Sequence, residues 1–322
     1  MVPDRLDAKT ALICGSVAYD TILVFPDRFK AHILPDKIHM LNVAFLVPEM
    51  RREFGGCAAN IAYSLRLLGD SGLPMAAAGH DFGPYRERMA SQGIRLAHVK
   101  VIEETFTAQA FITTDLDDNQ ITAFHPGAMQ YAHLNQVSDV AGAITLGVVA
   151  PDGRQGMIEH AAQFAAAGIP FIFDPGQGLP MFSGAELRAF IEQAAWVAVN
   201  DYEWGLLEQK TGLSEADIAA KVRALIVTKG PEGSVIHTRD RTFTIPCVKA
   251  RRIVDPTGCG DAYRAGLVHG LLRGLDWETT GRLASLLGAI KIESRGPQNH
   301  DFTRAEFLRR YHESFGQVPE GI

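Results

Sequence analysis

Asp255-Pro256-Thr257-Gly258-Cys259-Gly260-Asp261-Ala262-Tyr263-Arg264-Ala265-Gly266 runs directly into an apolar segment of helical spacing that reaches residue 273. Two glycines two positions apart let the backbone turn tightly. The peptide N–H groups of Gly258, Cys259 and Gly260 can then point at an anion held at the positive end of the following helix. That cradle is the size of a phosphate. Asp261, in the first helical turn, would stand beside the anion, where a carboxylate serves as a base or a metal partner. The same residues also fit a plain loop followed by an ordinary N-terminal helix acid, so local physics leaves both readings open.

Outward from this stretch, strand-length apolar runs at 11–17, 75–79, 146–150, 170–174, 196–199 and 225–228 alternate with segments of helical period. The helical segments cover 58–68, 85–92, 157–167, 183–195, 202–210, 261–273 and 279–294. This alternation predicts an α/β fold, a mostly parallel central sheet flanked by helices. Ser183 with Glu186 has capping-box spacing, and Gly168 sits where a helix would end. Two regions break the rhythm. Residues 107–124 read as two short strands, AQAFITTDL and QITAF, joined by a turn at Asp117-Asp118-Asn119; residues 21–47 mix short apolar stretches with proline and charge. These insertions, at about 18–50 and 105–126, predict a small β-sheet layer over the edge of one domain spanning 1–322.

Composition narrows the function. The 322 residues are 47% hydrophobic and 21% charged, as in a globular protein able to bury a sizeable core. A net charge of -6 with no long basic run argues against a nucleic-acid partner, so any bound anion must be held locally. Cys14, Cys57, Cys247 and Cys259 are widely spaced with no CxxC pair, which disfavours a zinc ribbon or disulfide framework and fits a reducing compartment. An N-terminus without a signal-peptide core, and the lack of any long uninterrupted apolar stretch, lead to the expectation of a cytoplasmic protein with no membrane partner. There is no Gly-x-x-x-x-Gly-Lys-[Ser/Thr], no Gly-x-Gly-x-x-Gly after a strand and no protein-kinase catalytic loop. Phosphate would have to be held by a different glycine turn.

The 255–266 stretch resembles the second signature of the ribokinase (PfkB) family of carbohydrate and nucleoside kinases, Asp-[Thr/Pro]-Thr-Gly-Ala-Gly-Asp followed by an aromatic residue and Ala-Gly. The resemblance extends over nearly the whole chain. Phe54-Gly55-Gly56-Cys57-Ala58-Ala59-Asn60 is similar to the family's Gly-Gly-x-x-x-Asn, and Gly79-His80-Asp81-Phe82-Gly83 to its Gly-x-Asp-x-Gly. It implies a ribokinase-like fold with a β lid, ATP as phosphoryl donor with Mg2+, and a possible K+ dependence. It further implies an anion hole from Gly258, Cys259 and Gly260, with Asp261 as the base. Cys259 stands where the family has Ala; a backbone N–H donor survives that exchange. Ser16 and Asp20 after the first strand, with Gly55, Gly56 and Asn60, are implied to hold the acceptor's hydroxyls. Asn200-Asp201-Tyr202-Glu203 resembles the Asn-x-x-Glu that positions magnesium and phosphates, Glu203 acting through water. Glu203 also suits the first turn of a helix by charge alone. Thr228-Lys229-Gly230-Pro231-Glu232-Gly233 resembles a Thr-x-Gly-x-x-Gly turn that contacts ATP, which adds Thr228, Gly230, Gly233 and the signature's Asp255 to the nucleotide site. Locally, the two glycines equally suit a β-turn and Lys229 a solvated position.

Within the family the resemblance is to bacterial adenosine and nucleoside kinases. It is carried by Phe25-Pro26-Asp27-Arg28-Phe29, Ile33-Leu34-Pro35, Phe45-Leu46-Val47, Thr113-Thr114-Asp115, Phe124-His125-Pro126-Gly127-Ala128-Met129 and Asn200-Asp201-Tyr202-Glu203-Trp204. The aromatic matching Phe124 stacks on the nucleobase in similar enzymes, a contact worth about 1–3 kcal/mol. A single Phe in a strand also suits the core, and Phe106 or Phe111 could supply the platform instead. Some bacterial adenosine kinases carry Arg-Phe where this chain has Gln109-Ala110, which leaves room for inosine, guanosine or a pyrimidine nucleoside. The Gln109 amide could reach a base edge or face solvent. The resulting expectation is transfer of the ATP γ-phosphoryl to the 5′-hydroxyl of a nucleoside, adenosine first. A broad nucleoside kinase or a sugar kinase is the alternative. A homodimer through the lid strands would cover an exposed β edge.

Overall fold

The computed structural model describes residues 10–33, 40, 42–117 and 119–320. Leu34 and Pro35 of one resemblance stretch, and Asp118 of the predicted turn, lie outside the described residues.

The most continuous apolar runs become the middle of the main sheet because both faces of a central parallel strand are covered. These are β1 (Thr10–Cys14), β8 (Leu146–Val149), β9 (Phe171–Phe173), β10 (Trp196–Asn200) and β11 (Ala224–Thr228), almost every residue of which is buried. With β4 (Ser71–Gly79), β5 (Val99–Ile102), β12 (Ser234–His237) and β13 (Thr242–Ile245) they form a nine-stranded sheet among the described residues, ordered β13-β12-β11-β10-β9-β8-β1-β4-β5. Pairing is parallel from β5 to β11 and antiparallel in the β11-β12-β13 edge. A second, mixed sheet takes the order β3-β2-β6-β7 from β2 (Ala18–Val24), β3 (Glu49–Gly55), β6 (Ala108–Thr114) and β7 (Gln120–His125). β2 pairs with β6 in parallel and with β3 antiparallel, and β6 and β7 form a hairpin.

Helices cover both faces of the main sheet. In chain order they are α1 (Phe29–His32), α2 (Cys57–Leu67), α3 (Gly83–Ser91), α4 (Arg154–Ala166), α5 (Gly184–Gln193), α6 (Asp201–Thr211), α7 (Glu215–Lys221), α8 (Cys259–Arg273), α9 (Trp277–Ile292) and α10 (Arg304–Phe315). Capping boxes start α5 (Ser183 with Glu186), α6 (Asn200 with Glu203), α7 (Ser214 with Asp217) and α10 (Thr303 with Glu306). α2, α8 and α9 pack on one face of the sheet through small residues. α4 and α5 cover the other. No described helix is long and apolar enough to cross a membrane.

The alternation of strands and helices predicted from sequence is present, with shifted ends. The first strand stops at Cys14, because Ser16 already turns toward the other sheet and its N–H bonds Pro151 O at 3.1 Å. The helix expected from Asp261 begins two residues earlier, at Cys259. The predicted hairpin is β6-β7, and the 18–50 insertion supplies β2 and α1 but extends to Gly55 to complete β3. β3 was not anticipated because EMRREFG is charged and half-exposed, so it lacks a strand's apolar alternation. The four-residue strands β5, β12 and β13, at or next to the sheet edges, and the charge-rich α7 and α10 escaped for similar reasons.

The chain adds strands on one side of β1, then returns to place β8 on the other, so β1 and β8 flank a topological switch point. Open α/β sheets bind ligands outside the carboxyl ends of their strands there. α8 is held over this crevice by α9, on which it lies so closely that a Cβ at Gly266 would be driven into the backbone of Ala284. Gly266→Ala is therefore expected to cost about 1–3 kcal/mol by overpacking, outweighing the helix-propensity gain of about 1 kcal/mol. Urea unfolding checks this, and an unchanged midpoint would refute the close α8–α9 contact.

Candidate active site

The turn before α8 is built by Asp255 and two glycines. Gly258 adopts φ 80° and caps the helix in the left-handed region, where its missing side chain also matters: a Cβ would come within 2.7 Å of Pro297. Asp255 is buried and spends its carboxylate on the loop itself, Oδ1 accepting from Thr257 N and Oδ2 from Gly296 N, both at 2.9 Å. Burial pushes its carboxyl up, but these amide bonds win and hold it below the ordinary carboxylate range. Asp255, expected as a nucleotide contact, locks the turn by accepting one amide on each oxygen. Cys259 N–H folds back onto Pro256 O at 3.1 Å, and among the described residues no backbone hydrogen bond outside the helix engages the N–H of Gly258 or Gly260.

Asp261 lies in the first turn of α8 and receives a 2.8 Å hydrogen bond from Asn60 Nδ2 on α2. Burial raises its carboxyl to about 7, against the Asn60 bond; the negative charge of Asp174 adds to the rise and the Arg264 guanidinium opposes it. Asn60 is itself fixed: its Oδ1 accepts from Gln298 Nε2 at 2.8 Å, and that amide also lies 2.6 Å from Tyr85 OH. Tyr85 in turn donates to Gly55 O at 2.6 Å. Gly55, Asn60 and Asp261 therefore belong to one hydrogen-bonded chain.

On the same side, Gly56 at φ 93° starts α2 where a Cβ would strike Ser16 O at 2.6 Å. Ser16 Oγ accepts from Cys57 N at 3.1 Å. Asp20 on β2 faces Glu53 on β3 and sits under Gly55, where a Cβ would meet its Oδ2 at 2.5 Å. Burial, then Glu53 and Asp255, push its carboxyl up to about 6. Asp81 of the Gly-x-Asp-x-Gly stretch accepts from Thr107 N at 2.7 Å, tying the base of β6 to the main sheet. The structure thus gathers Ser16, Asp20, Gly55, Gly56, Asn60 and Asp261 at the switch point.

The structure removes one alternative for each of two lid residues. Gln109 does not face solvent: it is buried and donates one amide hydrogen to Thr21 Oγ1 at 2.8 Å. Phe124 is not core; it pairs in register with Ala110 and is 52% exposed on a strand exposed along its full length. Phe106, also exposed, packs at 4.4 Å on the His80 ring.

At the ends of the neighbouring strands, Asn200 and Glu203 cap α6 reciprocally, Glu203 N to Asn200 Oδ1 at 2.7 Å and Asn200 N to Glu203 Oε2 at 2.8 Å. Burial raises the Glu203 carboxyl, and Asp174 raises it further. Asp174, just past β9, forms a buried bidentate pair with Arg264 of α8 at 3.0 and 3.1 Å. Thr228 ends β11, and the Gly230–Glu232 turn returns the chain so that Lys229 N reaches Gly233 O at 2.7 Å. Sequence reasoning missed Arg264, Asp174, Gln298 and Tyr85. Arg264 carried a signal, a charge between the apolar residues Tyr263 and Ala265 of α8; Gln298 carried none.

The profile of the pfkB family carbohydrate kinases matches residues 18–304. A nucleoside kinase of Methanocaldococcus jannaschii is 33% identical over 262 residues, covering 80% of this chain and 85% of that protein. The solved nucleoside kinase of Burkholderia thailandensis in complex with inosine is 54% identical, with a TM-score of 0.88 over 97% of this chain and all of that one. The same enzyme in complex with ADP-inosine superposes with a TM-score of 0.86 at 56% identity, covering 97% of this chain and 98% of that one.

The carboxyl of Asp261 should titrate near 7, followed by NMR of 13C-labelled aspartate. Asn60→Ala should move it higher still, because the lost amide donor favoured the charged form. A titration near 4 would overturn the desolvated setting.

Proposed function

This chain belongs to the pfkB family of carbohydrate kinases, and is a phosphotransferase with an alcohol acceptor; from that premise we propose that it transfers the γ-phosphoryl of ATP to the 5′-hydroxyl of nucleosides. The observation that carries the reading is the Asp261 carboxyl, desolvated to a value near 7, held by Asn60 at the mouth of the glycine turn. A base with a pKa close to working pH combines deprotonation with useful proton affinity. The Burkholderia thailandensis relative, solved with inosine and with ADP-inosine, supports a nucleoside as acceptor and ATP as donor.

In this reading Asp20, Gly56 and Asn60 hold the ribose 2′ and 3′ hydroxyls, which brings the 5′ oxygen to Asp261. Asn60 has two amide hydrogens. One orients the Asp261 carboxylate and the other is left for a sugar oxygen, so the same side chain aligns base and acceptor. As the oxygen attacks, Asp261 takes its proton. Charge on the transferring group is met by the positive end of α8 and the N–H groups of Gly258 and Gly260. Arg264 balances Asp174 behind the base and keeps a second carboxylate from raising Asp261 further. Magnesium entering with ATP would find Glu203 beside Asp174, and a phosphate-borne Mg2+ needs only one or two protein carboxylates. It supplies neutralisation of phosphate charge. The second sheet, hinged at Asp81 and Thr107, acts as the lid that excludes water.

The base is read loosely. The exposed Phe124 ring offers stacking, which every base accepts, so acceptance extends beyond adenosine to inosine and other nucleosides.

Asp261→Asn is expected to lower kcat about 100- to 10,000-fold while ADP affinity, measured by calorimetry, stays unchanged; near-normal turnover would reject the base. A panel of adenosine, inosine, guanosine, cytidine, ribose and fructose 6-phosphate tests the acceptor. Comparable kcat/KM on several nucleosides is expected, with Phe124→Ala weakening all of them by about 1–3 kcal/mol. Activity confined to the two sugars would replace the nucleoside reading with a sugar kinase.

A further inference from the structure

Lys291, near the end of α9, is fully buried, and no step above uses it. Its ammonium donates to two backbone carbonyls, Asp255 O at 2.7 Å and Ser294 O at 3.3 Å. Those carbonyls belong to the two segments that build the cradle: the turn entering Gly258, and the 294–297 turn whose Gly296 N holds Asp255 Oδ2 and whose Pro297 abuts Gly258. Val254 N and Asp255 N both reach Ile292 O, at 2.9 and 3.1 Å, so the carbonyl edge of α9's last turn is stitched to the segment entering the cradle. Burying a lysine is costly unless its charge is matched. The carboxylates that favour its charge are Asp255, Asp261 and Glu53. Burial nevertheless shifts its pKa downward.

A charge so placed is costly to keep for packing alone, since a buried methionine would fill the same space. Carbonyl oxygens converging from two loops are what a small monovalent cation binds, and a tethered ammonium satisfies them without leaving. We propose that Lys291 is a positioning residue, a built-in cation that clamps the 255–260 turn onto the 294–297 turn and so holds the Gly258 and Gly260 amides in the geometry that receives the transferring phosphoryl group. This rests on the anion-hole reading above. It implies turnover without a requirement for a dissociable monovalent cation.

Three measurements test it. Wild-type kcat is compared in potassium, sodium and tetramethylammonium chloride at fixed Mg2+; equal values are expected, and dependence on potassium would overturn the proposal. Lys291→Met, which keeps the stem and removes the charge, should lose about 100-fold in kcat, the scale of a misplaced reacting group, with nucleoside KM unchanged; wild-type kcat would overturn it. Lys291→Ala should regain turnover in ammonium or ethylammonium chloride, and no regain in a folded variant would count against it. If both variants fail to fold by circular dichroism, the wild-type cation series decides. If the wild-type enzyme phosphorylates no nucleoside or sugar, the functional reading fails separately. Hydrogen exchange of the 255–262 peptide in Lys291→Met then decides the clamp, faster exchange keeping it and unchanged exchange overturning it.

Discussion

The 2.8 Å hydrogen bond from Asn60 to Asp261 joins residues 201 positions apart and sets the geometry on which the site depends. It forms only where α2 and α8 meet over the carboxyl end of β1, so the parallel sheet, the small residues of both helices and the glycine turns at their starts all serve one contact. Water is largely excluded from it, and the cost of desolvating the carboxylate brings Asp261 to about 7. A base of that strength is produced by position; an aspartate in solution does not have it.

Around this bond the polar groups form two supports of different kinds. One is neutral: Gln298, Tyr85 and the Gly55 carbonyl hold Asn60 through a relay of hydrogen bonds. The other is charged: Arg264 and Asp174 neutralise each other behind α8, and Lys291 meets the carbonyls of the turn in front of it. Removing one partner of such a buried pair leaves an uncompensated charge, which is more costly than never having had the pair. The site is therefore rigid on the main-sheet side. The β3-β2-β6-β7 sheet is the opposite, with β7 wholly exposed and large apolar side chains such as Phe124 and Phe111 open to solvent. Rigid chemistry below and an open aromatic layer above suit a site that must admit a flat ligand and then close over it.

Legibility followed burial and periodicity. β8, β10 and β11 announced themselves as short apolar runs because central parallel strands are apolar on both faces, and β6-β7 as a hairpin because a polar turn joins two short strand-like runs. EMRREFG did not read as a strand, since a half-exposed lid strand carries charge on its open face. In the site, Asp261, Asn60 and the glycines were legible because backbone turns that need glycine, and a carboxylate at a helix start, leave a spaced signature. The burial of Gln109 against Thr21 was not legible, because whether an amide faces solvent or a neighbour depends on the adjoining strand's register. The hold of Asp255 on its own loop was likewise not legible, since Gly296 lies 41 residues away in the chain.

What the amino-acid order determined by itself was the α/β class, the lid insertions and the glycine-flanked aspartate, all of which rest on interactions within about a dozen residues of chain. Only the tertiary structure decided the pKa of Asp261, the partners of Asn60 and the burial of Arg264 and Lys291. Those depend on which distant segments exclude water from the same space, and desolvation and charge pairing are properties of that shared volume, with no counterpart in the local sequence.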